Sequence, residues 1–248
     1  MASVWSCGGG TQSAAIAALI VRGDLPNPDL AVIADTGREA SETWRFVDHV
    51  LRPMLLNVGV RLHRIPHTYA TVDLFSGADG KTIVIPMHSA QGGILPKYCS
   101  NEWKTRVVDR FVREQGLTDG KILIGFSTDE MQRMRRHDPK ASWNHSYPLV
   151  ERRMSRGDCV ALAEATFFRT PPRSSCWMCP YRTDSEWLHL SKTDPRDFQA
   201  SINLEKYLRR YDADAYLHKS KQPLDEVEFN ETQTDMFQDQ CASGMCFT

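Results

Sequence analysis

Neither sign of charge is in excess in this sequence: 30 Lys and Arg stand against 31 Asp and Glu, a net of −1. That balance excludes a wholly basic, histone-like or ribosomal type of protein, although net charge conceals local asymmetry. Long apolar runs are missing too. The longest aliphatic stretch, Ala14 to Val21, is far too short to span a bilayer, so no membrane partner is expected. Met1 to Gly10 lacks the basic segment and apolar stretch of a secretion signal, which makes a reducing cytoplasm the expected compartment. There is no internal repeat and no low-complexity tract. Cysteine, by contrast, is plentiful, with seven in the 248 residues. In a reducing compartment, clustered cysteines more often bind metal or do redox chemistry than form bridges. A chain this long can bury enough surface to be stable without disulfides.

The first third alternates strand-like and helix-like segments. Val4 to Ser6 is apolar and runs into Gly8-Gly9-Gly10; Thr11 to Arg22 then reads as an Ala-rich helix closed by Gly23 and Pro26. Leu30 to Ala34 reads as a buried strand, Ser41 to Leu51 as a helix, and Val60 to Ile65 as a third strand. Lys121 to Gly125 is a fourth. This order predicts an α/β fold: a three-layer, open, mainly parallel Rossmann-like sheet with a C-terminal helical, cysteine-containing region. Residues 1–135 are expected to form a nucleotide-binding domain, with 66–98 as an insertion or lid over the sheet. Residues 136–248 are expected to form a basic, helical region with an acidic tail that packs on it.

A strand, three glycines and a helix opening with Thr and Ser make an anion site. Glycines let the backbone come close, and free N–H groups at a helix start face the ligand. Gly8 to Ser13 fits neither the Walker loop nor the dinucleotide fingerprint. It resembles the pyrophosphate loop of the PP-loop ATP pyrophosphatases, Ser-Gly-Gly-x-Asp-Ser, with Gly8 in place of Ser and Gln12 in place of Asp. Four further segments resemble the branch of phosphoadenosine phosphosulfate (PAPS) reductase-like proteins, which is related to the DNA phosphorothioation iron–sulfur proteins. They are Ala34 to Glu39 (ADTGRE), Cys99 to Arg106 (CSNEWKTR), Gly125 to Arg133 (GFSTDEMQR) and Arg173 to Arg182 (RSSCWMCPYR). The resemblance covers most of residues 1 to about 190. It implies a nucleotide site at Gly8, Gly9, Gly10, Thr11, Gln12, Ser13, Asp35 and Gly125. It further implies catalytic roles for Lys104, Asp129 and Arg133, the last two with Glu130 as Mg²⁺ and phosphate contacts.

Cys176 and Cys179 form a C-x-x-C pair in a proline-flanked turn, able to place two thiolates on one metal or cluster. Cys241 and Cys246 are a looser pair, and Cys99 precedes a helix carrying Lys and Arg. The expected ligand set is Cys99, Cys176, Cys179 and Cys246, with Cys241 as substitute. Spacing does not separate iron–sulfur from zinc; the resemblance favours a [4Fe-4S] cluster, with Zn²⁺ as alternative. Cys7 and Cys159 read as core residues.

Between Arg133 and Arg156 stand seven Lys and Arg against two acids, with Trp143 and Tyr147 interleaved. Such a patch could grip tRNA or DNA through phosphates and stack on bases. After Lys221 there are six acids and no Lys or Arg. Three functions remain open from sequence. One is an ATP pyrophosphatase that adenylates a nucleobase for sulfur or nitrogen insertion, with a sulfur-donor protein as a further partner. The second is a reductase or sulfotransferase acting on an adenylyl sulfonucleotide; the Cys-Gly-Leu-His ending of that branch is replaced here by CASGMCFT. The third is a metal-stabilised nucleic-acid binder.

Overall fold

The computed structural model describes residues 1–78 and 80–229. The chain opens with β1 (Ala2–Ser6), α1 (Thr11–Val21) and β2 (Leu30–Ala34). Next, α2 (Ser41–Phe46) runs through a π turn (Val47–Leu51) into α3 (Arg52–Asn57), and β3 (Leu62–Ile65) follows. Three two-residue strands come next: β4 (Phe75–Ser76), β5 (Thr82–Ile83) and β6 (His88–Ser89). A π turn (Asn101–Thr105) leads into α4 (Arg106–Glu114), then β7 (Gly120–Ile124), a 3₁₀ segment (Thr128–Arg133) and β8 (Trp143–Ser146). The remainder is helical: α5 (Pro148–Glu151), α6 (Arg156–Phe167), α7 (Asp184–Thr193) and α8 (Pro195–Leu208), closed by β9 (Ala215–Tyr216).

Five strands make one parallel sheet in the order β3-β2-β1-β7-β8. Side chains alternate across a strand, so each central strand serves two cores. Val4 and Val32 face α4, where Val107, Val108 and Val112 cover them. Trp5, Ala31 and Ile33 face the other way, against Ile16 and Ile20 of α1, Leu51 and Leu55. Helix α1 is buried along nearly its whole length, between the sheet and Cys159, Ala163 and Phe167 of α6. Its alanines allow that close packing. The sheet is the α/β arrangement expected from sequence. Strand β8 was hidden in the basic stretch, because Trp-Asn-His-Ser carries no apolar run. With β8 and α6, the sheet layers run past residue 135.

Residues 66–98 do not lie over the sheet as a lid. Leu74, Ile83, Val84, Ile85 and Met87 join Trp187, Leu190, Ile202, Leu208 and Leu217 in a separate core. Strand β6 pairs with β9, which ties this segment to the end of the described chain. Neither half has enough apolar periodicity alone; together they bury one another. This second core is anchored to the sheet by Arg45, bidentate to Asp194 at 2.6 and 2.8 Å, and by Ser41, bonded through N–H and hydroxyl to Asp197.

One glycine is required by strand pairing. Gly120 has φ +155° opposite Ala2, and a Cβ there would stand 2.1 Å from the Ala2 carbonyl oxygen. Gly120→Ala is therefore expected to destabilise the protein by about 2–3 kcal/mol through strain and a sprung β1–β7 end. A urea melt checks this, and an unchanged midpoint would contradict it.

Candidate functional site

The sheet order reverses between β1 and β7, and open α/β sheets bind ligands at such a point, beyond the strand ends. A cleft lies there. Its floor is the glycine loop and the start of α1, with Gly8, Gly10, Thr11, Gln12 and Ser13 exposed to it. The loop is braced from within: the Gly8 N–H donates to Ser13 Oγ at 2.7 Å. Lys104, Arg133, Arg135, Arg156 and Arg173 line the walls, with Gly125, Phe126, His145 and Tyr147. Cations around a helix N-terminus suit a polyanionic ligand. Burial, then the like charge of Arg173, lowers the Arg156 pKa from its ordinary value. Burial, then Arg135, lowers that of His145. Arg133 lies over the Phe126 ring at 4.2 Å and pairs with Glu130 at 2.8 Å. Glu130 also accepts from Gln12 Nε2 at 3.0 Å, so Gln12 ties the loop to the segment that follows β7.

The cysteine turn closes one side of the cleft. Ser174 sits so near the glycine loop that a Cβ on Gly10 would stand 2.8 Å from its backbone nitrogen. Its hydroxyl bonds to the Gly8 carbonyl and to Glu39. Glu39 pairs with Lys104 at 3.2 Å, and the segment after β2 forms a β-bridge to Cys176. The Ala40 N–H donates to the Ser175 carbonyl, and the Trp177 N–H to that of Arg38. Within the turn, the Cys179 N–H donates to the Cys176 carbonyl. Cys99, Cys176 and Cys179 thereby line one small cavity, walled by Ile85, Pro86, Trp103 and Met178. Lys104 lines both this cavity and the cationic cleft. Burial, then Glu39, pushes the Cys176 thiol well above the usual range, so its thiolate needs a cationic partner. Among the described residues, no three His, Cys, Asp or Glu side chains converge closely enough to hold one metal ion.

No family model matches this sequence, and no curated protein does. Several solved structures are similar. One of them is the U34-tRNA thiolase NcsA from Methanococcus maripaludis with its [4Fe-4S] cluster, at 14% identity and a TM-score of 0.45. The match covers 98% of this chain and 79% of that one.

Of the residues singled out from sequence, Gly8, Gly10, Thr11, Gln12, Ser13, Gly125, Lys104 and Arg133 meet in the cleft, and Cys99, Cys176 and Cys179 meet in the cavity. Gly9 is turned away, against Thr43 and Val47. Asp35 is held by Arg64 at 2.7 Å and by the Gly37 N–H, outside the cleft lining. Asp129 accepts from the Arg156 N–H at 2.6 Å and from Ser127, an anchoring role at the start of α6. Cys241 and Cys246 lie outside the described residues.

The basic patch is rearranged relative to expectation. Arg133, Arg135 and Arg156 turn into the cleft. Tyr147 is buried, stacked on Phe126 at the cleft wall, and Trp143 is half-buried against the α4-side core, so the two rings do not form one outward-facing patch with the basic residues. Arg136 and Lys140 remain exposed. Sequence reasoning assigned no role to Glu39, Arg173 or Ser174. The available signals were that Glu39 ends the ADTGRE segment and that Arg173 and Ser174 open the segment of the C-x-x-C. Cys7 and Cys159 are buried, and burial pushes their thiols up to about 11 and about 12, as suits packing residues. No helix among the described residues is long and apolar enough to cross a membrane.

Proposed function

We propose that this protein is a PP-loop ATP pyrophosphatase of the PAPS reductase-like type that adenylates a nucleobase or nucleic acid for sulfur insertion. The observation that carries this reading is the shared wall: Lys104 lines a cationic cleft over a glycine loop and also the cavity of three cysteines. In this reading, the first N–H groups of α1 and the side chains of Arg133, Arg156 and Arg173 hold the phosphates of ATP with Mg²⁺. They stabilise the charge that grows on the pyrophosphate as the α–β bond breaks. The target oxygen takes the adenylyl group, and a sulfur nucleophile then displaces AMP. Lys104, on the boundary, neutralises the departing phosphate.

Cys99, Cys176 and Cys179, with Cys246 as fourth ligand, would hold a [4Fe-4S] cluster. The residues fit such a group: the thiols face one cavity without converging on a single ion, as suits a cofactor that spreads its ligands over several irons. When bound, the cluster supplies a place to present sulfur. The exposed Arg136 and Lys140 beside the cleft suit a tRNA or DNA backbone.

The test is incubation of anaerobically purified protein with α-labelled ATP and Mg²⁺, with and without tRNA or DNA. AMP and pyrophosphate that depend on nucleic acid are expected. Untouched ATP, together with sulfite released from an adenylyl sulfonucleotide and thiol, would replace this reading by the reductase; neither product would leave a metal-stabilised binder.

A further inference from the structure

The cysteine cavity holds a second set of groups that adenylation does not use. Lys97 Nζ, Ser100 Oγ and Ser175 Oγ are buried and have no hydrogen-bond partner. All three side chains line the cavity of Cys99, Cys176 and Cys179. Ser100 and Ser175 are 3% and 4% exposed, so solvent does not serve them. A buried polar group left unpaired costs about 1–3 kcal/mol, and more when charged. Three in one small cavity call for an explanation. The side chains of the walls Ile85, Pro86 and Trp103 carry no acceptor, and that of Met178 only a weak thioether sulfur. An ammonium offers only donors, and hydroxyls can donate as well. The missing partner is therefore rich in acceptors and sits among thiols.

We propose that Lys97, with Ser100 and Ser175, donates hydrogen bonds to the inorganic sulfur of an iron–sulfur group held by Cys99, Cys176 and Cys179, and so sets its reduction potential. The proposal rests on the cluster reading above. The physical basis is charge. Reduction adds an electron to a group in an apolar cavity, where a nearby ammonium and hydrogen bonds to sulfur favour the reduced form. Lys97 is in this sense a positioning residue, acting through the cluster.

The experiment is a redox titration, followed by electron paramagnetic resonance, of the full chain purified anaerobically. Lys97→Met is expected to disfavour the reduced state at least about tenfold, a fall of about 59 mV for a one-electron couple. Ser100→Ala combined with Ser175→Ala is expected to shift it the same way by roughly threefold, as weaker neutral donors are lost. Lys97→Arg, which keeps the charge, is expected to stay nearer the parent. Potentials unchanged in both the lysine and the serine variants would overturn the proposal and point to a cavity whose donors serve water. Should Lys97→Met fail to hold iron, the serine pair decides. Wild-type protein that binds no iron sinks the cluster reading and this inference together, whereas iron-loaded protein with an unmoved potential sinks only the inference.

Discussion

Cys176→Ala, purified anaerobically beside the parent, is expected to fall from about four irons per chain to below roughly one, and to lose any nucleic-acid-dependent sulfur insertion. The reason lies in how Cys176 is held. Its segment bridges to Glu39, its turn is closed by the Cys179 N–H, and Arg182 donates to its carbonyl at 3.2 Å. The main chain that carries the sulfur is therefore held by contacts on both sides. Cys99→Ala and Cys179→Ala are expected to behave alike. Cys159→Ala is the control, because its thiol packs in the α1–α6 core, remote from the cavity lining. It should keep its iron and lose about 1 kcal/mol of stability. Cys246→Ala tests the fourth position: reduced iron supports a ligand there, and full iron would move that position off Cys246. Zinc at one per chain and no iron in the parent would replace the cluster by the metal-ion alternative.

The sheet was legible because its central strands obey simple rules. Leu30 to Ala34 and Lys121 to Gly125 are short apolar runs between turn residues, which is how strands buried on both faces read. The glycine loop was legible because Gly8 to Gly10 interrupts a strand-to-helix step at the point where the sheet order reverses, the place where open α/β sheets in general take their ligands. The edge strand β8 was not, since one of its sides has no sheet neighbour and its sequence stays polar. The second core was not legible either. Ile83 to Met87 and Leu190 to Leu217 are more than a hundred residues apart and neither has a complete apolar face without the other. The site followed the same division. Cys176 and Cys179 announce themselves by spacing, but the approach of Cys99, and the bonds by which Glu39 joins Lys104 to Ser174, depend on tertiary contacts that leave no local trace.

Arg133→Met is expected to cost about 3 kcal/mol of stability near neutral pH, and to recover much of it as pH falls. Arg133 and Glu130 are a buried pair, with side chains 6% and 3% exposed at 2.8 Å. Removal of one partner of such a pair leaves the other's charge poorly compensated, which typically costs about 3–5 kcal/mol. Gln12 Nε2 and the Ser127 N–H still reach Glu130, which places the estimate at the low end. The sign with pH follows from Glu130. Burial already raises its pKa above the ordinary value, and Arg133 is the main influence that lowers it. A carboxyl raised in the folded state favours folding below its unfolded pKa, and that contribution is lost as pH rises through the folded one. Without Arg133 the folded pKa rises further, so the deficit against the parent is largest above it and shrinks toward acid. Urea melts of both proteins at about pH 8 and about pH 5 measure this, and a deficit independent of pH would show that Arg133 stabilises by packing on Phe126 instead. Glu130→Gln in the Arg133→Met background supplies the second check. The amide removes the buried charge and keeps an acceptor for Gln12, so the double variant should regain stability at about pH 8 and lose the pH dependence. Because Arg133 also lines the cleft, ATP binding should remain weakened in the double variant, separating its part in the fold from its part at the phosphates.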